Sequence, residues 1–152
     1  MMRREAGFTY VMVMFAVALL SIVSVRAMEN SLTGAKRDKE AELLFVGQAY
    51  RNAIKVYYDY SPGTTKEYPP DLASLLLDSR TSTTRRPLRK LYRDPITGND
   101  EWGLILTEDG RIKGVYSLSQ QVPIKKGGFP TELAEFALAK TYRDWQFVYQ
   151  SQ

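Results

Sequence analysis

The hydrophobic residues near the start of this chain form one continuous run. From Phe8 to Val25 every residue is uncharged, and Phe, Val, Leu and Ile predominate. At about 1.5 Å per residue this run forms a helix of roughly 27 Å, close to the roughly 30 Å hydrocarbon layer of a bilayer. The run therefore predicts a helix that spans a membrane.

Beyond Arg26 the apolar residues recur at the spacing of one helix face. That face holds Leu43, Val46, Gly47, Tyr50, Ala53, Ile54 and Tyr57, and the opposite face holds Lys39, Glu42, Arg51, Asn52 and Lys55. Together the two runs predict one helix of about fifty residues that ends at Ser61-Pro62-Gly63. Glycine weakens a helix, so we expect either a hinge or a plain break between two helices at Gly34.

The rest of the chain alternates turn signals with short apolar segments. Tyr68 to Leu76 predicts a short packing helix that begins at prolines, and Thr131 to Lys140 predicts a second helix. Trp102 to Thr107 and Ile112 to Leu118 predict a β-hairpin, with a third strand at Trp145 to Tyr149. The order predicts an α+β fold in which a long N-terminal helix, its first part transmembrane, packs on a small antiparallel β-sheet.

Composition removes most catalytic chemistry. The chain has 152 residues, a formal charge of +4, no cysteine and no histidine. Disulfides, thiolate zinc sites, imidazole ligands and nucleophiles that need a histidine base are therefore excluded. No catalytic motif is present either, so we expect no catalytic residue and no enzyme. The remaining enzyme alternative is an anchored hydrolase that uses carboxylates gathered by the fold.

A short basic leader precedes the apolar run. Met1 to Gly7 carries Arg3 and Arg4, which would hold this end in the cytoplasm. The far flank, Ser24 to Met28, lacks the small-x-small cleavage site of a secretory signal peptide. The only feature typical of a processed leader is therefore the glycine on the near side.

Gly7-Phe8-Thr9, followed by an apolar helix, resembles the processing signature of type IV pilins and type II secretion pseudopilins. The resemblance implies that prepilin peptidase cuts after Gly7 and methylates Phe8, and that the apolar run stays as the anchor. The family usually has a glutamate where this chain has Met12. Either the subunit caps a filament tip, or apolar packing holds it in the filament body. A plain single-pass anchor is the alternative.

The resemblance extends beyond the leader. Tyr68 to Leu72, then Leu88 to Gly98 with Trp102-Gly103 behind it, is similar to the G-type, major-subunit branch of the pseudopilins. It implies a pilin-like fold with four parts: a leader at 1–7, a transmembrane and filament-core helix at 8–25, its amphipathic continuation at 26–61, and a periplasmic region at 62–152. It also implies a single-pass protein of the bacterial inner membrane, with its N-terminus cytoplasmic and its C-terminal domain periplasmic.

The function implied by this resemblance is that of a structural subunit in a periplasmic filament of a type II secretion or type IV pilus machine. The implied partners are prepilin peptidase, other pilin or pseudopilin subunits, membrane lipid and, indirectly, a platform protein and an assembly ATPase. The candidate assembly residues are Phe8, Met12, Ala16 and Leu19. The alternatives are a minor or tip subunit, a DNA-uptake pilin, or a single-pass anchored binding domain that does not assemble.

Members of the G-type branch often bind calcium in a late loop, and the acids that would do so here are scattered. The acids are Asp94, Asp100, Glu101, Glu108 and Asp109, and Asn99 is a further candidate ligand. No twelve-residue calcium loop is present, and Asn99-Asp100-Glu101 is typical of a solvated turn. We therefore predict no metal and no cofactor.

Positive charge concentrates between Arg80 and Arg93, a stretch that holds six basic residues and no acid. Its candidate polyanion contacts are Arg85, Arg86, Arg89 and Lys90. DNA phosphates, anionic lipid head groups or acids of the next subunit would suit it, as would plain solvation of a loop. We expect any DNA binding to be weak and non-specific, and nucleic acid is not a predicted partner.

Overall fold

The computed structural model describes residues 5–151, with side chains from Gly7 onward. Its elements in chain order are the helix α1 (Glu5–Asp59), the 3₁₀ helix η1 (Ala73–Leu75), the strands β1 (Gly103–Leu106) and β2 (Ile112–Tyr116), the 3₁₀ helices η2 (Thr131–Leu138) and η3 (Tyr142–Asp144), and the strand β3 (Phe147–Val148). The chain divides into two compact units, the first ending at Arg37 and the second beginning at Asp38.

In the first unit every described side chain of α1 from Gly7 to Ala35 is exposed. The hydroxyl of Ser21 donates to the Val17 carbonyl at 2.8 Å, and that of Ser24 donates to the Leu20 carbonyl at the same distance. These polar groups are therefore satisfied within the helix itself. The helix continues through Gly34 without interruption, so the alternative of a plain break there is wrong.

In the second unit the predicted apolar face of α1 is buried. The residues Leu43, Val46, Gly47, Tyr50, Ala53, Ile54 and Tyr57 all lie in the protein interior. The helix ends at Asp59, two residues before the predicted Ser61-Pro62-Gly63. Gly63 adopts a φ of +80°, a conformation that side-chain-bearing residues rarely take, which explains a glycine at this turn.

The three strands form one antiparallel sheet in the order β1-β2-β3. Leu104 of β1 pairs with Val115 of β2, and Val115 pairs with Phe147 of β3. A register shift between Ile105 and Leu106 precedes the turn, where Gly110 has a φ of +76°. The predicted hairpin and third strand are confirmed.

The two predicted short helices take a different form. Thr131 to Leu138 is a 3₁₀ helix kinked at Leu133, not an α-helix. Its buried residues, Leu133 and Phe136, are three apart, and residues at this spacing lie above one another in a 3₁₀ helix. The helix expected at Tyr68 to Leu76 shrinks to η1, because the Pro69 carbonyl instead accepts a hydrogen bond from the Ile112 amide at 2.9 Å.

Aromatic rings join the sheet to the C-terminal 3₁₀ helices. Phe136 stacks on Trp145 with 5.6 Å between ring centroids, and meets Phe147 edge-on at 5.2 Å. Gly47 of α1 faces the Phe147 ring so closely that no Cβ would fit between them. The glycine therefore sets how closely β3 approaches the helix.

Candidate functional site

We call Phe8–Val25 the apolar stem, and its side chains are exposed along its whole length. The exposed fraction is 75% for Phe8, 64% for Met12 and 52% for Leu19, and Ala16 is exposed as well. The candidate assembly residues are therefore accessible to a neighbouring molecule. Leaving this many large apolar side chains in water is unfavourable, so the stem requires another environment.

Length and composition allow α1 to cross a membrane. Its most apolar window of 18 residues has a mean hydropathy of 2.4, and none of that window is buried within the protein. The core helix of a soluble protein would be mostly buried, whereas a signal sequence near the N-terminus would have the same length and composition. The chain thus carries one long apolar helix that could span a bilayer.

The predicted cleavage residues lie at the start of the described chain. Gly7 and Phe8 belong to α1, and a Cβ built on Gly7 would meet nothing within 4 Å. Packing in the structure therefore gives no reason for a glycine at position 7. The first four leader residues lie outside the described part, and cleavage and methylation stay predictions.

Arg80 and Arg93, at the two ends of the basic stretch, have acidic partners. Arg93 donates through Nε to Asp100 at 2.8 Å, and both side chains are exposed. Arg80 donates to both carboxylate oxygens of Asp78 at 2.8 Å and to the Tyr57 carbonyl at 2.7 Å. Its guanidinium also lies 3.4 Å from the centroid of the Tyr57 ring. Arg80 thus stabilises the fold.

Asp78, the partner of Arg80, is itself buried with 4% exposure. Hydrogen bonds from the Arg80 side chain hold the pKa of the Asp78 carboxyl below its ordinary value. A buried carboxylate survives because both of its oxygens have charged donors. This ion pair is a structural feature that the sequence pattern did not single out.

The four predicted polyanion contacts, Arg85, Arg86, Arg89 and Lys90, form what we call the basic patch. The Arg85 guanidinium lies 3.7 Å from the centroid of the Tyr60 ring, and its Nε is buried without an acceptor among the described residues. Arg86, Arg89 and Lys90 are exposed, and no acid in residues 5–151 pairs with them. Arg86, Arg89 and Lys90 therefore carry positive charge without an acidic partner among the described residues, whereas the charge of Arg85 helps to lower the pKa of Asp78.

The scattered acids do not assemble into a metal site in the described part of the chain. Asp94 is fully buried, and its carboxylate accepts hydrogen bonds from the Ser117 hydroxyl at 2.6 Å and the Ile96 amide at 2.9 Å. Asp100 pairs with Arg93, and Asn99 and Glu101 are exposed. Asp94 thus holds the turn that precedes β1 against the end of β2.

Glu40 is a buried acid that the sequence pattern did not reveal. Its side chain accepts hydrogen bonds from the Ile124 amide at 2.5 Å, the Lys125 amide at 3.2 Å and the Tyr142 hydroxyl at 2.9 Å. Burial raises the pKa of Tyr142 well above its ordinary value, with the Glu40 contact adding to the effect. One signal was available, because Glu40 shares the helix face of Leu43 and Gly47.

An open groove of about 550 Å³ lies along the C-terminal half of α1, and its charged groups are largely engaged. Arg51 pairs with Glu132 and donates to the Val148 carbonyl at 2.9 Å, and the Tyr149 hydroxyl donates to Asp59 at 3.1 Å. Without histidine or cysteine, the groove holds no activated nucleophile of the familiar kinds. We assign it no chemistry.

The geometry therefore offers an accessible apolar helix and a basic patch, three of whose members have no acidic partner among the described residues. Neither is a recognisable catalytic arrangement, since both lack a nucleophile paired with a base. Comparison with protein-family models, with curated proteins and with solved structures finds no match for this chain.

Proposed function

We propose that this chain is a pilin-like structural subunit that is cleaved after Gly7 and then assembles into a periplasmic filament. The apolar stem is first stored in the inner membrane of a bacterium and is later buried among the stems of other subunits. The machine would be a type II secretion or type IV pilus system. The proposal rests on the resemblance of Gly7-Phe8-Thr9 and the segments behind it to the pseudopilins.

One structural observation supports it most strongly. A single helix, α1, is apolar and exposed on all sides over the stem, and is buried on one face only from Glu40 onward. The second part packs on its own unit, while every side chain of the stem is exposed. A stem that must exchange lipid for protein neighbours would have this character.

The stem also suits close packing against other helices. Ala16, Ala18, Ser21 and Ser24 are small, and small residues let helix backbones approach one another. Because both serine hydroxyls already bond within the helix, they carry little polar cost into an apolar interface. The work of the subunit would be mechanical: extraction from the bilayer by an assembly ATPase and platform protein adds subunits, and the growing filament pushes cargo or extends a fibre.

The mass of the mature chain tests the processing step. In cells that contain prepilin peptidase, intact-mass analysis should show the loss of Met1 to Gly7 and the gain of one methyl group on Phe8. Gly7→Val should block the loss, whereas the matched variant Gly34→Val should not. A wild-type chain that keeps Met1 in such cells would remove the assignment to the pilin family.

Cysteine cross-linking tests assembly itself. Val13 and Val23 are both exposed on the stem, with 56% and 64% exposure, and the native chain has no cysteine to interfere. Cysteines at both positions should give a ladder of cross-linked species if the stems pack in a filament. Monomers and dimers alone would instead support a single-pass anchored binding domain.

A further inference from the structure

Two surface groups of opposite charge lie in the second unit, and no salt bridge among the described residues involves either of them. One is the basic patch, and the other is the pair Glu108 and Asp109, which we call the acidic turn. Resting on the proposed function, we propose that in the filament the basic patch of one subunit binds the acidic turn of a neighbouring copy. The contact would fix the register of the globular parts while the stems supply the apolar packing.

The side chain of Arg85 is already held in a position from which it can bind a carboxylate. Its guanidinium rests on the Tyr60 ring, and the Nε atom has no acceptor among the described residues, while the main-chain amide of Arg85 donates to the Asp78 carbonyl at 2.9 Å. A guanidinium held flat in this way loses little freedom when a carboxylate arrives. Arg86, next to it, is exposed and adds a second charge.

A backbone hydrogen bond also fixes the conformation of the acidic turn. The Thr107 amide donates to the Arg111 carbonyl at 2.7 Å, which closes the turn between β1 and β2. Glu108 and Asp109 are exposed and make no hydrogen bond or ion pair within residues 5–151. The neighbouring Arg111 instead forms an ion pair with Glu67 at 3.3 Å and donates a hydrogen bond to the Tyr68 carbonyl at 3.0 Å. The two carboxylates are thus left for an outside partner.

Both groups attach to the segment that directly follows α1. Arg85 of the basic patch does so through Tyr60, whereas Lys90 lies against the ring of Tyr92. The acidic turn does so through Arg111, which pairs with Glu67; the Glu67 amide in turn donates to the Ser61 hydroxyl at 3.1 Å. A helical filament repeats one contact between two different surfaces of the same chain. Two complementary groups that both reach the segment after α1 would meet between copies that stand side by side.

A nucleic acid fits these groups less well. Base stacking needs a free aromatic face, but Arg85 covers Tyr60, and Lys90 stands 5.1 Å from the ring of Tyr92, the one aromatic residue inside the basic stretch. The acidic turn, linked through Arg111 and Glu67 to the segment that Arg85 also contacts, would also repel phosphates. A carboxylate partner on another copy has neither disadvantage.

The decisive test is co-expression of the full-length Arg86→Cys and Asp109→Cys variants, followed by mild oxidation. Filaments containing both should give one disulfide-linked dimer, and either variant alone should give none, because each contact joins position 86 of one copy to position 109 of the next. Arg86→Cys with Glu135→Cys is the matched control, since Glu135 is an exposed acid elsewhere on the unit. It should give no dimer.

Charge reversal supplies a second readout. Arg86→Glu with Arg89→Glu should lower the yield of filament several-fold, and adding Glu108→Lys with Asp109→Lys should restore most of it. Raising salt from about 0.1 M to about 1 M should have a similar weakening effect on the wild type, because the screening length falls from about 10 Å to about 3 Å. No loss of filament in the reversed variant would overturn the proposal.

The outcomes separate this inference from the proposed function. Suppose that cysteines at Val13 and Val23 give a ladder of cross-linked species but positions 86 and 109 give no disulfide-linked dimer. This result would overturn the inference and would still support a filament. Absence of both would overturn the proposed function. Retention of the wild type on double-stranded DNA at physiological salt, lost in Arg86→Glu with Arg89→Glu and accompanied by no dimer, would assign the basic patch to a polyanion instead.

Discussion

At the scale of single residues, Glu40 shows how a buried charge is tolerated. A carboxylate taken out of water costs free energy unless its oxygens find donors. Glu40 finds three, from the amides of Ile124 and Lys125 and from the Tyr142 hydroxyl. It thereby ties α1 to a loop that precedes η2 and to η3, which are distant in sequence.

We therefore expect Glu40→Gln to lower the free energy of unfolding by about 1–3 kcal/mol, because an amide nitrogen would replace one acceptor oxygen among these donors. Urea unfolding of the full chain in detergent micelles measures the change. Glu42→Gln, at an exposed position of the same helix, should change stability by no more than about 0.5 kcal/mol. Equal effects of the two substitutions would show that the Glu40 contacts contribute little.

The ion pair of Asp78 and Arg80 makes the free energy of unfolding depend on pH. Since the pKa of Asp78 is lower in the folded chain than in the unfolded chain, the pair contributes stability above the unfolded pKa, near 4, and loses it as pH falls through the folded value. Wild type should lose more stability between about pH 5 and pH 2 than Asp78→Asn. Thermal unfolding across this range measures both.

Asp71 and Asp144 also have lowered pKa values, through hydrogen bonds from Ser74 and Thr141, so wild type and Asp78→Asn share their contribution. The difference between the two curves therefore reports Asp78 alone. Parallel curves would contradict a stabilising role for this ion pair.

At the scale of elements, the amphipathic half of α1 depends on a glycine. Gly47 lies against the Phe147 ring of β3, whereas Gly34 faces open space. Both glycines carry the ordinary helix penalty relative to alanine, so packing alone distinguishes them. The two positions form a natural pair for separating contact from propensity.

Gly47→Ala should destabilise the second unit by about 1–3 kcal/mol, because the new methyl group must displace Phe147. Gly34→Ala should cause no loss of stability, since alanine is the better helix former. Urea unfolding followed by tryptophan fluorescence reports the second unit, because Trp102 and Trp145 both lie in it. A stable Gly47→Ala protein would mean that Phe147 has room to move.

At the scale of the whole molecule, the exposed apolar stem determines which environment the chain requires. Its side chains are all exposed, and none of its most apolar window is buried within the protein, so their free energy depends on lipid or on neighbouring chains. The second unit, by contrast, has its own core around Tyr50, Trp145 and Phe147. Membrane attachment and folding should therefore respond to different substitutions.

Leu19→Arg with Leu20→Arg should release the chain from carbonate-washed membranes, because each central arginine costs about 2.5–3.5 kcal/mol on insertion. Met28→Arg with Leu32→Arg is the matched control, since these leucine and methionine residues lie beyond Arg26, outside the stem. The control should stay in the membrane pellet. Full retention of the Leu19 and Leu20 variant would show that the stem does not insert.

Local patterns in the sequence were sufficient for several elements. The uncharged run and the face from Leu43 to Tyr57 predicted α1, and the turn at Asp109-Gly110 between alternating segments predicted the hairpin. These features depend on neighbours within a few positions, which is why periodicity and turn residues report them. The candidate assembly residues, by contrast, came from the resemblance to the pilin family.

By itself, then, the sequence determined the long helix, its apolar and amphipathic halves, the hairpin and the third strand, because each depends on short-range spacing. Only the tertiary structure decided that η2 is 3₁₀, that Arg80 and Arg93 have acidic partners, and which donors reach Glu40. Those donors lie 84, 85 and 102 residues further along the chain. Contacts between such distant residues are set by how elements pack, which no local pattern records.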